Sequence, residues 1–160
     1  MSNAIDFKVG PADVDELNFV LSSWKRSFRS SPKLAQLPSR VYFERANAEV
    51  AEILTRAEVL VARDAERPEL LYGFIAYETL PDALCIQFVY VKRDWRRQGI
   101  AAALLNAAVA HAIRDGVDID TAKLVYTHKT RFDAVAERLG FKHINQFRWA
   151  KMVRQEADNV

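Results

Sequence analysis

A single cysteine, Cys85, stands in a chain of 160 residues, which excludes an internal disulfide framework and a cysteine-built zinc cluster and suits a reducing compartment. Histidine is nearly as scarce. His111, His128 and His143 are the three present, and their spacing matches no metal-ligand pattern, so no metal is expected. No apolar run approaches the roughly 20 residues that cross a bilayer, and no stretch reads as a targeting segment, so no membrane association is expected and the location is taken as cytoplasmic. Excess charge is also missing: 23 basic residues against 21 acidic ones leave +2, which requires no large polyanion as partner and argues against a nucleic-acid module. Five glycines and five prolines are scattered, without a low-complexity segment, linker or internal repeat.

What is present is the balance of an ordinary globular protein, with 50% hydrophobic and 28% charged residues, and the length fits one domain over residues 1–160. Met1–Ala4 and the polar tail Gln155–Val160 are expected to lack order. Alternation of Ile5, Phe7 and Val9 predicts a strand ended by Gly10-Pro11. Asp13 and Glu16 have the spacing of a capping box, and Leu17, Val20, Leu21 and Trp24 share one face of the helix it would open. Trp24–Leu37 reads as a polar loop, after which Ser39 would cap a second helix with the stripe Val41, Phe43, Ala46, Val50, Ile53 and Leu54. Three antiparallel strands follow, Val59–Ala62, Leu70–Thr79 and Leu84–Val91, with turns at Asp64–Glu69 and Pro81-Asp82. A helix over Ile100–Asp115, closed by Gly116, would face the sheet with Leu104, Leu105, Ala108, Val109, Ala112 and Ile113. Then come a strand over Lys123–Thr127 and a helix over Thr130–Leu139, stopped by Gly140. Phe141–Val153, with Phe147, Trp149 and Met152, is expected as a strand pair or one bent strand. The sum is one mixed α/β domain.

The chain is organised around Val89–Leu105, where an apolar strand runs into the basic loop Lys92–Gln98, then Gly99, then an Ala- and Leu-rich helix. A helix opening directly after such a loop leaves its first N–H groups unpaired, and with the positive end of the helix dipole they form an anion site. Gly99 lets a phosphate approach the backbone, and Arg96 and Arg97 add charge.

The pattern Arg96-x-x-Gly99-x-Ala101, preceded by Val91 and Trp95, resembles the acetyl-CoA signature of the GNAT family of N-acetyltransferases. The phrase Ala136-Glu-Arg-Leu-Gly-Phe141 is similar to the family's later helix-to-strand junction, and the order of elements matches along nearly the whole chain. Arg93 stands where the family often has Pro, and Ala101 where it often has a second Gly. The resemblance implies a GNAT-like fold, a central, mostly antiparallel twisted sheet of six to seven strands flanked by about four helices. It implies acetyl-CoA as co-substrate and an amine as acceptor, and leaves a homodimer open. Residue by residue, it implies that the pantetheine pairs with Val89, Tyr90 and Val91, and that the N–H of Val89 or Val91 polarises the thioester carbonyl. The pyrophosphate would rest on the amides of Arg97, Gln98, Gly99, Ile100 and Ala101 beside Arg96. Lys129 occupies the place where an Asn commonly contacts the cofactor.

Acetyl transfer needs a neutral amine, a stabilised carbonyl oxygen and a proton for the leaving thiolate. Many family members carry a Tyr at the position of Ala136 to supply that proton. Tyr126 and His128, near the end of the fifth strand, are the nearest substitutes, although a strand Tyr is commonly packing and a strand-end His commonly solvated. For the base, Gln87 cannot take a proton, and Cys85 reads as a small buried hydrophobe. Glu78 is the carboxylate left, acting directly or through water, or else an exposed strand-end charge. The expected function is an acetyl-CoA-dependent N-acetyltransferase acting by direct attack of a primary amine, on a small molecule, a peptide or a protein lysine. The missing Tyr keeps a second reading, a GNAT-fold protein that binds acyl-CoA or a protein partner without turnover. Ser23–Pro32 is also similar to GNAT-like proteins of phages and prophages.

Overall fold

The structure, a computed structural model, describes residues 5–28 and 39–158. In chain order these form β1 (Phe7–Pro11), α1 (Val14–Phe28), α2 (Ser39–Leu54), β2 (Glu58–Asp64), β3 (Leu71–Leu80), β4 (Ala83–Val91), α3 (Ile100–Arg114), β5 (Lys123–Tyr126), α4 (Asp133–Arg138), β6 (Lys142–His143) and α5 (Gln146–Asp158). Among the described residues the strands make one six-stranded sheet in the order β1-β2-β3-β4-β5-β6. The first three pairings are antiparallel, and β4 with β5 and β5 with β6 are parallel.

Local chemistry sets the first helix. The Asp13 N–H donates to Glu16 Oε1 at 2.9 Å and the Glu16 N–H returns a bond to Asp13 Oδ1 at 2.8 Å, the reciprocal capping box the spacing predicts. Arg63 on β2 then clamps Glu16 from the sheet, its Nε donating to Oε2 at 2.8 Å. Val20 and Trp24 of α1, with Val50 and Ile53 of α2, cover one sheet face against Val61, Phe74, Ala76 and Phe88. On the opposite face Leu104, Leu105, Ala108 and Ala112 of α3 pack on Leu60, Tyr72, Ile75 and Val89. The two faces are thus covered by different helices, and the central strands β3 and β4 are buried along most of their length.

Several expectations change. Trp24–Phe28 belongs to α1 rather than to a loop, and the remaining loop residues 29–37 lie outside the described residues, as do the side chains of Val41, Phe43 and Ala46. Leu17 is 36% and Ile113 54% exposed; Ile113 stands in the last turn of α3, beyond the sheet it was expected to face. The fourth helix starts at Asp133, because Thr130 and Asp133 close a turn of their own, the Thr130 N–H donating to Asp133 Oδ1 at 2.8 Å.

The largest correction concerns Phe141–Val153. Only Lys142–His143 pair with the sheet, and Gln146–Asp158 is a helix. Asn145 caps it, its Oδ1 accepting the Arg148 N–H at 2.7 Å, and Trp149, Met152 and Val153 fall on one helical face against Ala83, Cys85 and Val125. Gln155–Asp158, expected to lack order, are part of this helix, while Met1–Ala4 and the last two residues lie outside the described ones. Among the described residues the sheet therefore has six strands, with five α-helices around it.

One irregularity positions everything that follows. Ala76 pairs with Phe88 but Tyr77 pairs with Ile86, so Gln87 is an extra residue, a β-bulge in the middle of β4. β5 pairs with β4 only up to the Ile86–Tyr126 register, with one further bond from the Thr127 N–H to the Ile86 carbonyl at 3.1 Å. Beyond the bulge the two strands part.

Candidate active site

The parting leaves one edge of Phe88–Val91 without a strand partner among the described residues. The Lys92 N–H donates to the Tyr72 carbonyl at 2.8 Å, and backbone groups alternate along an antiparallel strand. Val89 and Val91 therefore turn their N–H and C=O groups away from β3, toward the opened edge. At the end of this edge Arg96 Nε donates to the Val91 carbonyl at 2.9 Å, fastening the basic loop onto the strand.

The loop then enters α3 through Gly99, which sits at φ 81° and ψ 7° with no side-chain cap on the helix. Arg97 is also left-handed, at φ 65°. The first α3 bond runs from the Ala103 N–H to the Gly99 carbonyl at 3.0 Å, so the amides of Ile100, Ala101 and Ala102 precede the ladder and open outward. They open onto a cavity of about 490 Å³ lined by Val91, Trp95, Gly99, Ile100, Ala101 and Ala102, by Phe132 and Val135, and by four arginines, 96, 97, 131 and 138. No carboxylate is among these lining residues. Burial, and after it the neighbouring Arg131, pushes the Arg96 guanidinium down from its usual value. Positive charge is therefore crowded here, and a ligand with several negative charges would relieve it. A Cβ built on Gly99 meets nothing within 4 Å, so the space above the amides is open to such a group.

Not every predicted contact residue reaches this cavity. Val91, Arg96, Arg97, Gly99, Ile100 and Ala101 line it, whereas Val89 and Tyr90 lie farther along the strand, Gln98 is exposed on the loop, and Lys129 is exposed between β5 and α4. Arg131 and Arg138 were missed. Arg138 ends α4 and Arg131 stands in the turn before it, so a reading confined to the Lys92–Gln98 cluster gives no sign of either.

The three acid–base candidates are not brought together. Tyr126 faces the α3 side, where its hydroxyl donates to Glu137 Oε1 at 2.7 Å. Burial, helped by that bond, pushes its phenol up to about 12. Glu78 is on the other face and is no exposed strand-end charge, being 6% exposed. Its carboxylate accepts Arg56 Nε at 3.0 Å, Trp149 Nε1 at 2.9 Å, and the Gln87 amide. To take a proton it would have to give up its ion pair with Arg56. Cys85 lies beneath, and burial followed by the Glu78 charge pushes its thiol well up, so it stays a neutral thiol. His128 sits where β4 and β5 part, its Nδ1 2.7 Å from the Gln87 carbonyl. Glu49, Gln87 and the adjacent Thr127 lie around it; long-range folding brings in Glu49 and Gln87, so spacing gives no sign of Glu49.

Comparison with known proteins decides the family. The sequence profile described as Acetyltransferase (GNAT) domain matches residues 55–143, the run from the end of α2 through β6. The chain belongs to the GNAT acetyltransferase family. No curated protein sequence matches it, but many solved structures do. An inferred acetyl transferase from Pyrococcus furiosus is similar with a TM-score of 0.69 at 18% identity, over 86% of this chain and 93% of that one. An acetyltransferase predicted in Clostridium acetobutylicum and solved with acetyl-CoA gives 0.61 at 16% identity, over 88% and 92%. A ribosomal-protein-alanine N-acetyltransferase from Brucella melitensis gives 0.54 at 21%, over 83% and 86%. At these identities the likeness is one of fold. Ala136, for which the family resemblance implies a Tyr in many members, is 4% exposed and packs into the core. Among the described residues no group of three or more potential metal ligands stands together, and no helix is long and apolar enough to cross a membrane.

Proposed function

We propose that the protein is an acetyl-CoA-dependent N-acetyltransferase that passes the acetyl group directly to a primary amine. The observation that carries this reading is the continuity of the opened β4 edge with the arginine-lined cavity at the start of α3. An extended, amide-bearing arm could pair with Val89 and Val91, and a phosphate-bearing end would meet the amides of Ile100–Ala102 and the guanidinium groups of Arg96, Arg97, Arg131 and Arg138. A Val89 or Val91 N–H on that edge would hold the thioester oxygen as negative charge develops.

The amine must arrive at the fork between β4 and β5 and lose a proton there. Tyr126 is engaged by Glu137 and Glu78 by Arg56, Gln87 and Trp149, which favours His128 as the group that accepts it. The buried Ala136 supports a second reading, binding of acyl-CoA without turnover. Calorimetric titration with CoA, followed by thiol release from acetyl-CoA across a panel of amines, tests both. Binding with release establishes the transferase, binding without release favours the second reading, and no binding refutes both.

A further inference from the structure

We propose that Glu49 and His128 form a carboxylate–imidazole pair that takes the proton from the acceptor amine, with Thr127 and Gln87 as positioning residues that fix the ring's tautomer. This rests on the acetyl-transfer reading.

The hydrogen bonds at Nδ1 share one consistent assignment. A carbonyl can only accept, so the 2.7 Å contact between the Gln87 carbonyl and His128 Nδ1 places the proton on Nδ1. Thr127 Oγ1, 2.9 Å from the same nitrogen, donates its own hydrogen to Gln87 Oε1 at 2.8 Å. The other end of that amide, Nε2, donates to Glu78 Oε2, which also receives Trp149 Nε1 at 2.9 Å. An unbroken chain of donors and acceptors thus runs from α5 through β3, the β4 bulge and β5 to the imidazole, and each member has one role. Trp24 and Phe88 meet the ring edge-on, with centroids at 5.7 Å and 6.2 Å, which limits its rotation. With Nδ1 protonated, Nε2 carries the lone pair.

Nε2 is 3.9 Å from Glu49 Oε1. That is too long for a hydrogen bond and suited to charge pairing. Interaction with the ring, opposed by partial burial, holds the Glu49 carboxyl below the usual carboxylate range. The charged groups toward the ring include Glu49 from α2 and, through Gln87, Glu78 with its partner Arg56. The His128 side chain is 13% exposed and Glu49 52%, so the pair spans from the strand fork to solvent.

The step balances. An ammonium acceptor gives one proton to Nε2, and the imidazolium formed is stabilised by Glu49. The nitrogen lone pair attacks the thioester carbon, forming the C–N bond as the C–S bond breaks. The second nitrogen proton passes to the thiolate, giving the amide and free thiol, and His128 returns its proton to solvent past Glu49.

The test uses the full chain and its Glu49→Gln, His128→Asn and Thr127→Val variants. Long-range proton–nitrogen NMR resolves the imidazoles, of which there are three. The expected result is an Nδ1–H tautomer for His128 and mixed tautomers in Thr127→Val, which loses one of the two acceptors facing Nδ1. An Nε2–H tautomer in the wild type overturns the pair. Thiol release is measured with spermidine, a lysine peptide and a peptide with N-terminal alanine, alongside calorimetry with CoA. His128→Asn should lower kcat about 100-fold or more and keep CoA affinity, and Glu49→Gln should lower kcat less and also keep CoA affinity. Wild-type rates in His128→Asn, or no release by the wild type with any of the three amines, overturn the assignment. Failure of the wild type to bind CoA instead overturns the acetyl-transfer reading, while the NMR result still judges the pairing.

Discussion

Replacing Gly99 separates the donor site from the fold more cleanly than any other change. Its backbone stands at φ 81°, and a residue with a Cβ held there costs about 1–2 kcal/mol. Nothing lies within 4 Å of the built Cβ, so no clash adds to this strain. For a domain of this size each kcal/mol lowers the melting temperature by about 2–4 °C, so Gly99→Val should melt roughly 2–8 °C below the wild type and remain folded. The same Cβ projects from the backbone where a phosphate would approach the Ile100–Ala102 amides, so ligand binding should fall far more than stability. Acetyl-CoA at 100 times its Kd stabilises the wild type by about 2.7 kcal/mol, or about 5–11 °C. The assay is a thermal melt of both proteins with and without acetyl-CoA. The wild type should rise by that margin and the variant by little. An equal rise in the Gly99→Val protein would refute the placing of phosphates on this helix end, whatever else binds.

The remaining predictions follow from named contacts. Arg131→Ala and Arg138→Ala should each weaken CoA binding about tenfold through lost charge-assisted bonds, measured by calorimetry, with a shallower salt dependence. Arg96→Ala should do more, because it also releases the Val91 carbonyl that ties the loop to β4. Glu78→Ala leaves Arg56, the Gln87 amide and Trp149 Nε1 without their shared acceptor, and should cost about 3–5 kcal/mol in a urea unfolding curve. Tyr126 has a folded pKa raised from 10.0 to about 12; its contribution to stability is therefore complete below pH 10 and is lost as pH rises through about 12. Tyr126→Phe should remove one late-titrating phenol from the alkaline absorbance titration and slow turnover at constant CoA affinity if Tyr126 protonates the thiolate; an unaltered rate would take it out of the mechanism.

What the sequence discloses depends on whether the cause is local. The capping box at Asp13 and Glu16, the left-handed stops at Gly116 and Gly140, and the Gly99 entry to α3 are decided by neighbours in the chain, and each stands where it was expected. The α5 segment was misread because Phe147, Arg148 and Trp149 alternate in polarity like a strand, and because aromatic residues favour strands. Asn145 as cap and the Trp149, Met152 and Val153 spacing were the competing signal. Glu78 was misplaced for a different reason. Its burial comes from Arg56, Gln87 and Trp149, the last 71 residues away, and no local pattern announces such a partner. Trp149, fully buried and bonded to that carboxylate, is also what holds α5 against the sheet.

The Gln87 bulge explains why the two halves of the site belong together. Without the extra residue, β4 would continue in register with β5, and the edge at Val89 and Val91 would be filled by strand pairing. With it, the strands part, the edge becomes available to a ligand, and the displaced Gln87 carbonyl turns to His128. The same side chain joins Glu78 to Thr127. One inserted residue therefore opens the donor edge and orients the imidazole at its inner end. Deleting Gln87 should accordingly abolish both CoA binding and the Nδ1–H tautomer of His128 in a protein that still folds, observed by calorimetry and NMR on the same sample. A deletion variant that keeps either property would show that the strand fork has another cause.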